Sequence, residues 1–261
     1  MGVIRRGPSG WCRVYRWDPA GRTIEPGSWL HGTIYPQRCD LSPDGRWLVY
    51  FALKGNAAWE IGDTYIAVSR LPWLTALVAW STCGTWTRGL HFSDDRGLLD
   101  PGDPDRGDAA PLRRRFGLAG TSPVTFAVER RLGWQETPET PSRSPIDAWD
   151  ERRADEVTMV RTHPESGDLQ LLVSGRHAAF RDNAPAWGVP RYLLRSGAER
   201  TGLEEVQWAD WSASGELLVA TTGGALEVRS RPFGPVDVDW RYEMASHRPD
   251  PESPPPDAGR W

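Results

Sequence analysis

At 261 residues, 39% apolar and 25% charged, the chain is long enough to bury a sizeable core and is ordinary in composition for a folded protein. A net charge of -4 leaves no basic footprint, which argues against a nucleic-acid partner. No apolar run approaches the roughly 20 residues of a membrane-spanning helix, and the start, "MGVIRRGPSGW", lacks the apolar stretch of a secretory leader.

Two biases stand out. There are 15 Trp, and Lys54 is the one lysine among 31 basic residues. So complete a preference for Arg reads as the codon usage of a GC-rich bacterial genome. The three cysteines, Cys12, Cys39 and Cys83, are far apart and form no zinc-type spacing with His. They are expected to be buried free thiols in a reducing cytoplasm.

In chain order, the first hairpin is "RVYRWDPAGRTIE", with its turn at Asp18 to Gly21. The clearest follows: "CDLSPDGRWLVYF", residues 39–51, where strand-forming runs flank Ser-Pro-Asp-Gly. "DTYIAVSRLP" adds a further strand. "VAWSTCGTWTRGLHF" repeats the strand, turn, strand shape around Gly84. Residues 93–108 hold six Asp against two Arg and read as a solvated loop; Asp103, Asp105 and Asp108 lack the order of a calcium loop. "RRFGLAGTSPVTFAVERR" supplies two β-rich runs around Gly120.

Residues 134–153 are rich in Pro, Ser and Thr and are expected to form a long inter-strand insertion. "RTHPESGDLQLLVS" turns at Gly167, and "ADWSASGELLVAT" turns at Gly215, with "ALEVRSRP" as the next strand. "VDVDWRYEM" closes the folded part. Residues 247–261 form a Pro-rich tail, expected to pack little.

The turn glycines Gly45, Gly84, Gly120, Gly167 and Gly215 are spaced by 39, 36, 47 and 48 residues. No segment carries a sustained 3.6-residue apolar period, so the class is all-β. A period near 40 to 45 residues with one hairpin each is that of a propeller blade. The expectation is a single β-propeller over residues 1–246, of five blades, with six as the alternative. The N-terminal hairpin and "VDVDWRYEM" would close the ring and cover a free sheet edge. A two-sheet sandwich is the competing architecture.

The "SPDGRWLVY" and "SASGELLVA" hairpins resemble those of WD-repeat and TolB-like β-propellers. The resemblance covers about two blades well and implies a divergent propeller. The Gly-His pair of WD repeats is absent, and Trp17-Asp18 and Trp149-Asp150 are not at the repeated position. Trp47, Trp80, Trp86, Trp208 and Trp211 flank the turns and are assigned to packing between blades.

No G-x-S-x-G, Walker loop, dinucleotide fingerprint or H-E-x-x-H occurs, so neither cofactor nor metal is expected. His31, His91, His163, His177 and His247 are scattered, and the stretches "GSWLHG" and "SGRHAAF" read as surface loops. The catalytic candidates are Asp40 and Asp210, each two residues before a turn Ser. Paired carboxylates facing a central cavity suit hydrolase or lyase chemistry on sugars or esters. The structural alternative is that each accepts hydrogen bonds from backbone. The favoured function is a non-enzymatic cytoplasmic platform for a protein or peptide partner, with loops and the 134–153 insertion as contacts.

Overall fold

Apolar residues on both faces of one strand, β6 (Trp47–Leu53), set the layering of the first half of the chain. The computed structural model describes residues 1–54, 61–87, 89–120, 127–137, 156–176, 191–230, 238–250 and 253–261. The fold is all-β, with several antiparallel sheets and, among the described residues, two short α-helices. It divides into two compact units, Met1–Ser122 with His247–Trp261, and Pro123–Ser246.

The first unit begins with the meander β1 (Gly2–Arg6), β2 (Trp11–Asp18) and β3 (Thr23–His31). Next come β4 (Thr33–Ile34), β5 (Asp40–Leu41), β6 (Trp47–Leu53), β7 (Thr64–Arg70) and β8 (Ala76–Ser81). The chain leaves for β9 (Leu90–Ser93) and returns with β10 (Arg106–Gly107) to the edge of the same sheet. That sheet has the order β10-β8-β7-β6-β4, with β5 also paired to β6. Helix α1 (Ala110–Arg113) leads into β11 (Gly117–Gly120), which pairs with β9.

Strand alternation sends Trp47, Val49 and Phe51 of β6 into one core, with Ile66, Val68, Phe92 and Leu118. It sends Leu48, Tyr50 and Ala52 into a second core, with Tyr65, Ala67, Cys12 and Val14. Two-sided burial explains why "WLVYFAL" is an unbroken apolar run with no polar alternation. Each large side chain so buried contributes about 1.5–3 kcal/mol before entropy is subtracted.

The second unit opens with helix α2 (Ala127–Arg131) and a five-stranded sheet. Its strands are β12 (Gln135–Glu136), β13 (Glu156–Thr162), β14 (Leu169–Arg176), β15 (Arg191–Ser196) and β16 (Glu199–Gly202), in that order. A four-stranded meander follows: β17 (Val206–Trp211), β18 (Leu217–Thr221), β19 (Ala225–Arg229) and β20 (Trp240–Glu243). Met159, Leu171, Val173 and Leu194 of the first sheet share a core with Ala209, Trp211, Leu217 and Val219 of the second.

Three of the five glycines sit in hairpin turns as expected. Gly45 joins β5 to β6, Gly167 joins β13 to β14, and Gly215 joins β17 to β18. The other two do not. Gly84 starts a 3-10 turn between β8 and β9, which belong to different sheets. Gly120 is the last residue of β11, and part of the second β-rich run expected after it is helix α2.

The two ends of the chain do not share a sheet. Trp240 to Tyr242 pair with β19, whereas β2 pairs with β1 and β3, so each end completes its own meander. The tail expected to pack little is docked. Ala258 is 1% exposed, and Trp261 packs against the first core. The insertion begins as structure: Trp134 is buried and Gln135–Glu136 forms β12 against β13. Residues 138–153 of it lie outside the described residues, as do Trp149, Asp150 and His177. Trp47, Trp80 and Trp211 are buried in cores, Trp208 is half-buried, and the Trp86 side chain is outside the described set. "GSWLHG" is strand, within β3 and just beyond it.

Candidate functional site

The Ser-x-x-Gly turns position both candidate carboxylates by the same local chemistry. In the first, Ser42 N–H donates to Trp47 O at 2.8 Å, and Trp47 N–H donates back to Ser42 Oγ at 2.9 Å. Gly45 sits at φ 69°, where a side chain is strained. In the second, Ser212 and Glu216 exchange the corresponding bonds at 2.8 and 3.0 Å, with Gly215 at φ 79°. The second loop is one residue shorter, yet Asp40 and Asp210 remain two residues before the turn Ser in each.

Asp40 is buried at the start of β5, and its Oδ2 accepts the Phe92 N–H at 2.8 Å. The carboxylate therefore ties the six-stranded sheet to β9. Asp210 is buried near the end of β17. Arg161 Nη1 on β13 lies 2.7 Å from its Oδ1 and 2.6 Å from its Oδ2, and Trp211 N–H donates to Oδ1 at 2.8 Å. Burial raises the Asp210 carboxyl above the usual range, opposed by the Arg161 charge and by bonds from Trp211 and the Trp134 side chain. Asp40 and Asp210 fall in different units.

Around Asp210 stand Glu129 and Tyr192, which sequence reasoning passed over, and His163, which it read only as one of five scattered histidines. Glu129 of α2 has its carboxyl raised by burial and by the Asp210 charge. The Tyr192 phenol on β15 is raised by burial and by Glu129 and Asp210. His163 packs edge-on against Trp211 at 4.9 Å. Its Nδ1 accepts the Glu165 and Ser166 N–H groups at 3.1 Å each, which leaves Nε2–H to donate to Gly215 O at 2.9 Å. The signal for Glu129 was hidden because "FAVERR" reads as a β-rich run.

The remaining candidates have structural neighbours. Asp103 pairs with Arg113 at 2.8 Å, Asp105 accepts from Ser81 N–H and Oγ, and Asp108 accepts the Ala110 N–H at the start of α1. Cys12 and Cys39 are buried free thiols, pushed by burial up to about 11 and about 12. Cys83 is exposed, contrary to the expectation for all three. No helix among the described residues is long and apolar enough to cross a membrane.

No protein-family model matches the chain, and no curated protein does. A solved crystal structure of a protein from Lactobacillus plantarum is similar at 12% identity, over 89% of this chain, with a TM-score of 0.26. The chain spans 64% of that protein's length, and a likeness at this TM-score carries no argument about fold or function.

Proposed function

We propose that this chain is a divergent five-bladed β-propeller, with six blades as the alternative count, serving as a non-catalytic platform for a protein or peptide partner. A bacterial, cytoplasmic setting belongs to the same reading and rests on the Arg bias and on the buried thiols Cys12 and Cys39. Successive antiparallel meanders, with β6 and β7 covered on both faces, support the blade reading.

The observation that carries the platform reading is the fate of the two aspartates. Asp40 caps a buried backbone N–H, and Asp210 is bonded by Arg161 and Trp211. Carboxylates so engaged serve as joints between sheets, and a general acid or base needs a free oxygen facing its substrate. A second reading, a hydrolase or lyase acting on sugars or esters, has one observation in its favour. Glu129 and Asp210 are both held above the usual carboxylate range beside Tyr192.

One experiment separates the two. The full chain carrying Asp40→Asn and Asp210→Asn is compared with wild type in partner capture from its native cell extract. Retained capture by a folded double variant supports the platform. A folded variant that loses all biological activity while still capturing the partner would overturn it in favour of the enzyme.

A further inference from the structure

Residues 253–261 are held by side chains and a short turn of their own. Ala258 N–H donates to Pro255 O at 2.9 Å and Arg260 N–H to Asp257 O at 3.1 Å, both within the segment. Pro255 enters at φ -63°, ψ 156°, the geometry of polyproline II. A segment of this kind arrives pre-extended and loses little conformational entropy on docking.

Its landing surface is one cross-strand pair. Trp47 on β6 and Arg70 on β7 are register partners, so their side chains leave the same face of the sheet side by side. Arg70 Nη1 takes Asp257 Oδ2 at 2.8 Å and the Asp257 carbonyl at 3.3 Å. Four residues on, the Trp261 ring lies 5.3 Å from the Trp47 ring, tilted by 47°. Between these anchors Ala258 is buried. The Arg115 guanidinium lies 5.4 Å over the Trp47 ring, which adds a second cation to the surface.

Two features mark this occupant as exchangeable. The Arg70–Asp257 pair is well exposed, 35% and 58% by side chain, so it orients the segment more than it holds it. The Trp47 indole N–H is buried and has no acceptor among the described residues, so the present occupant leaves one anchoring bond unused.

We propose that the Trp47–Arg70 surface is a peptide-docking site held in cis by residues 253–261. Its trans ligand is a proline-rich peptide bearing Asp or Glu with a large aromatic residue four positions later. The inference rests on the platform reading and names the partner's chemistry. A short tether supplies the cis segment at an effective concentration on the order of millimolar, so a trans peptide meets a competitor until the segment is released.

The test uses the full chain and a fluorescent nonapeptide of the sequence 253–261. Binding is read by anisotropy on wild type and on a release variant, Asp257→Asn with Trp261→Ala. The release variant should bind the peptide at least about tenfold more tightly than wild type. A peptide with Ala for Trp261 should bind it at least about tenfold more weakly, and one with Asn for Asp257 about two- to fivefold more weakly. Adding Arg70→Ala to the release variant should abolish discrimination between the Asp and Asn peptides. A release variant that melts cooperatively and binds no peptide overturns the proposal. So does a wild-type chain that forms a dimer which the release variant does not, since the occupant would then be a second copy. Should the release variant not fold, millimolar nonapeptide on the wild-type chain must speed amide exchange at Ala258 and Arg260, and unchanged exchange overturns the proposal. If the peptide fails while partner capture survives Arg70→Ala, the platform reading stands and this site does not. A wild-type chain that captures no partner, with intact peptide binding by the release variant, gives the reverse.

Discussion

Arg161 on β13 holds Asp210 on β17 through both carboxylate oxygens, at 2.7 and 2.6 Å, and so joins the two sheets of the second unit. The side chains are unequal in exposure, 30% for Arg161 and 9% for Asp210. Removing the cation strands a buried charge, whereas removing the charge leaves a guanidinium that water can reach. Arg161→Ala should therefore cost about 3 kcal/mol, and Asp210→Asn about 1 kcal/mol. The midpoints of urea unfolding check the order, and equal midpoints for the two variants would contradict it.

The two matched turns should respond differently to the same substitution. Alanine at Gly45 meets nothing within 4 Å, so its cost is the left-handed backbone alone, about 1–2 kcal/mol. Alanine at Gly215 places its Cβ 2.5 Å from the His163 ring and must also displace that ring from Trp211 and from Gly215 O. Gly215→Ala should lower the melting temperature clearly more than Gly45→Ala. A His163→Ala background should shrink the difference.

His247 gives a pH dependence of known sign. Burial, then the charges of Arg13 and Arg5, lower its pKa from the ordinary value of 6.5. Its Nδ1 meets the Tyr15 hydroxyl at 3.0 Å, and Arg5 donates to its carbonyl at 3.4 Å. The unfolded chain takes up the proton first on acidification. Stability from this group is thus full above 6.5 and falls as pH drops toward the folded value. Glu129 and Asp210, both raised, act in the opposite sense, losing stability as pH rises through their folded values. Comparing wild type with His247→Gln isolates the histidine: between pH 7.5 and 5.5 the wild-type melting temperature should fall further than the variant's.

Deleting residues 1–31 removes β1 to β3 and with them Cys12 and Val14, which cover the Tyr50, Tyr65 and Ala67 face of the central sheet. The loss should reach beyond a frayed end. Near-ultraviolet circular dichroism of the first unit's tyrosines should collapse along with the melting transition. An unchanged thermal midpoint would show that this layer adds nothing to the core.

The strands and two of the tightest turns were legible because alternation and Ser-x-x-Gly are local signals. "WLVYFAL" and "TYIAVSR" read as strands from their composition, and the structure adds that both are buried on two faces. What failed was non-local. Gly84 carries a positive φ of 66° and sits among strand formers, but nothing nearby in sequence says that its flanking strands join different sheets. Gly27 opens a stretch read as surface loop and Gly117 lies in a β-rich run, yet an added Cβ would run into Pro72 O and Asp95 O respectively. Of the site, Asp210 was visible from its turn. Arg161, Glu129 and Tyr192 come from three other elements, and only folding brings them beside it. Proline content predicted an undocked tail, because composition reports backbone stiffness and not the Trp47–Trp261 contact.

The central sheet also has a history during synthesis. One face of β6 and β7 can be covered at once, since β1 to β3 are already translated when these strands leave the ribosome. The opposite face waits for Phe92, Leu118 and finally Trp261. At about 5–20 residues per second, about 10–40 seconds separate the end of β7 from residue 261. Until Leu118 follows, about 2–10 seconds after β7, the nascent chain presents Val49, Phe51, Ile66 and Val68 to its surroundings, and the part covered by Trp261 waits for the whole interval. Its period of greatest vulnerability to misassembly is thus a stage of translation, and a holdase chaperone would engage it through this face.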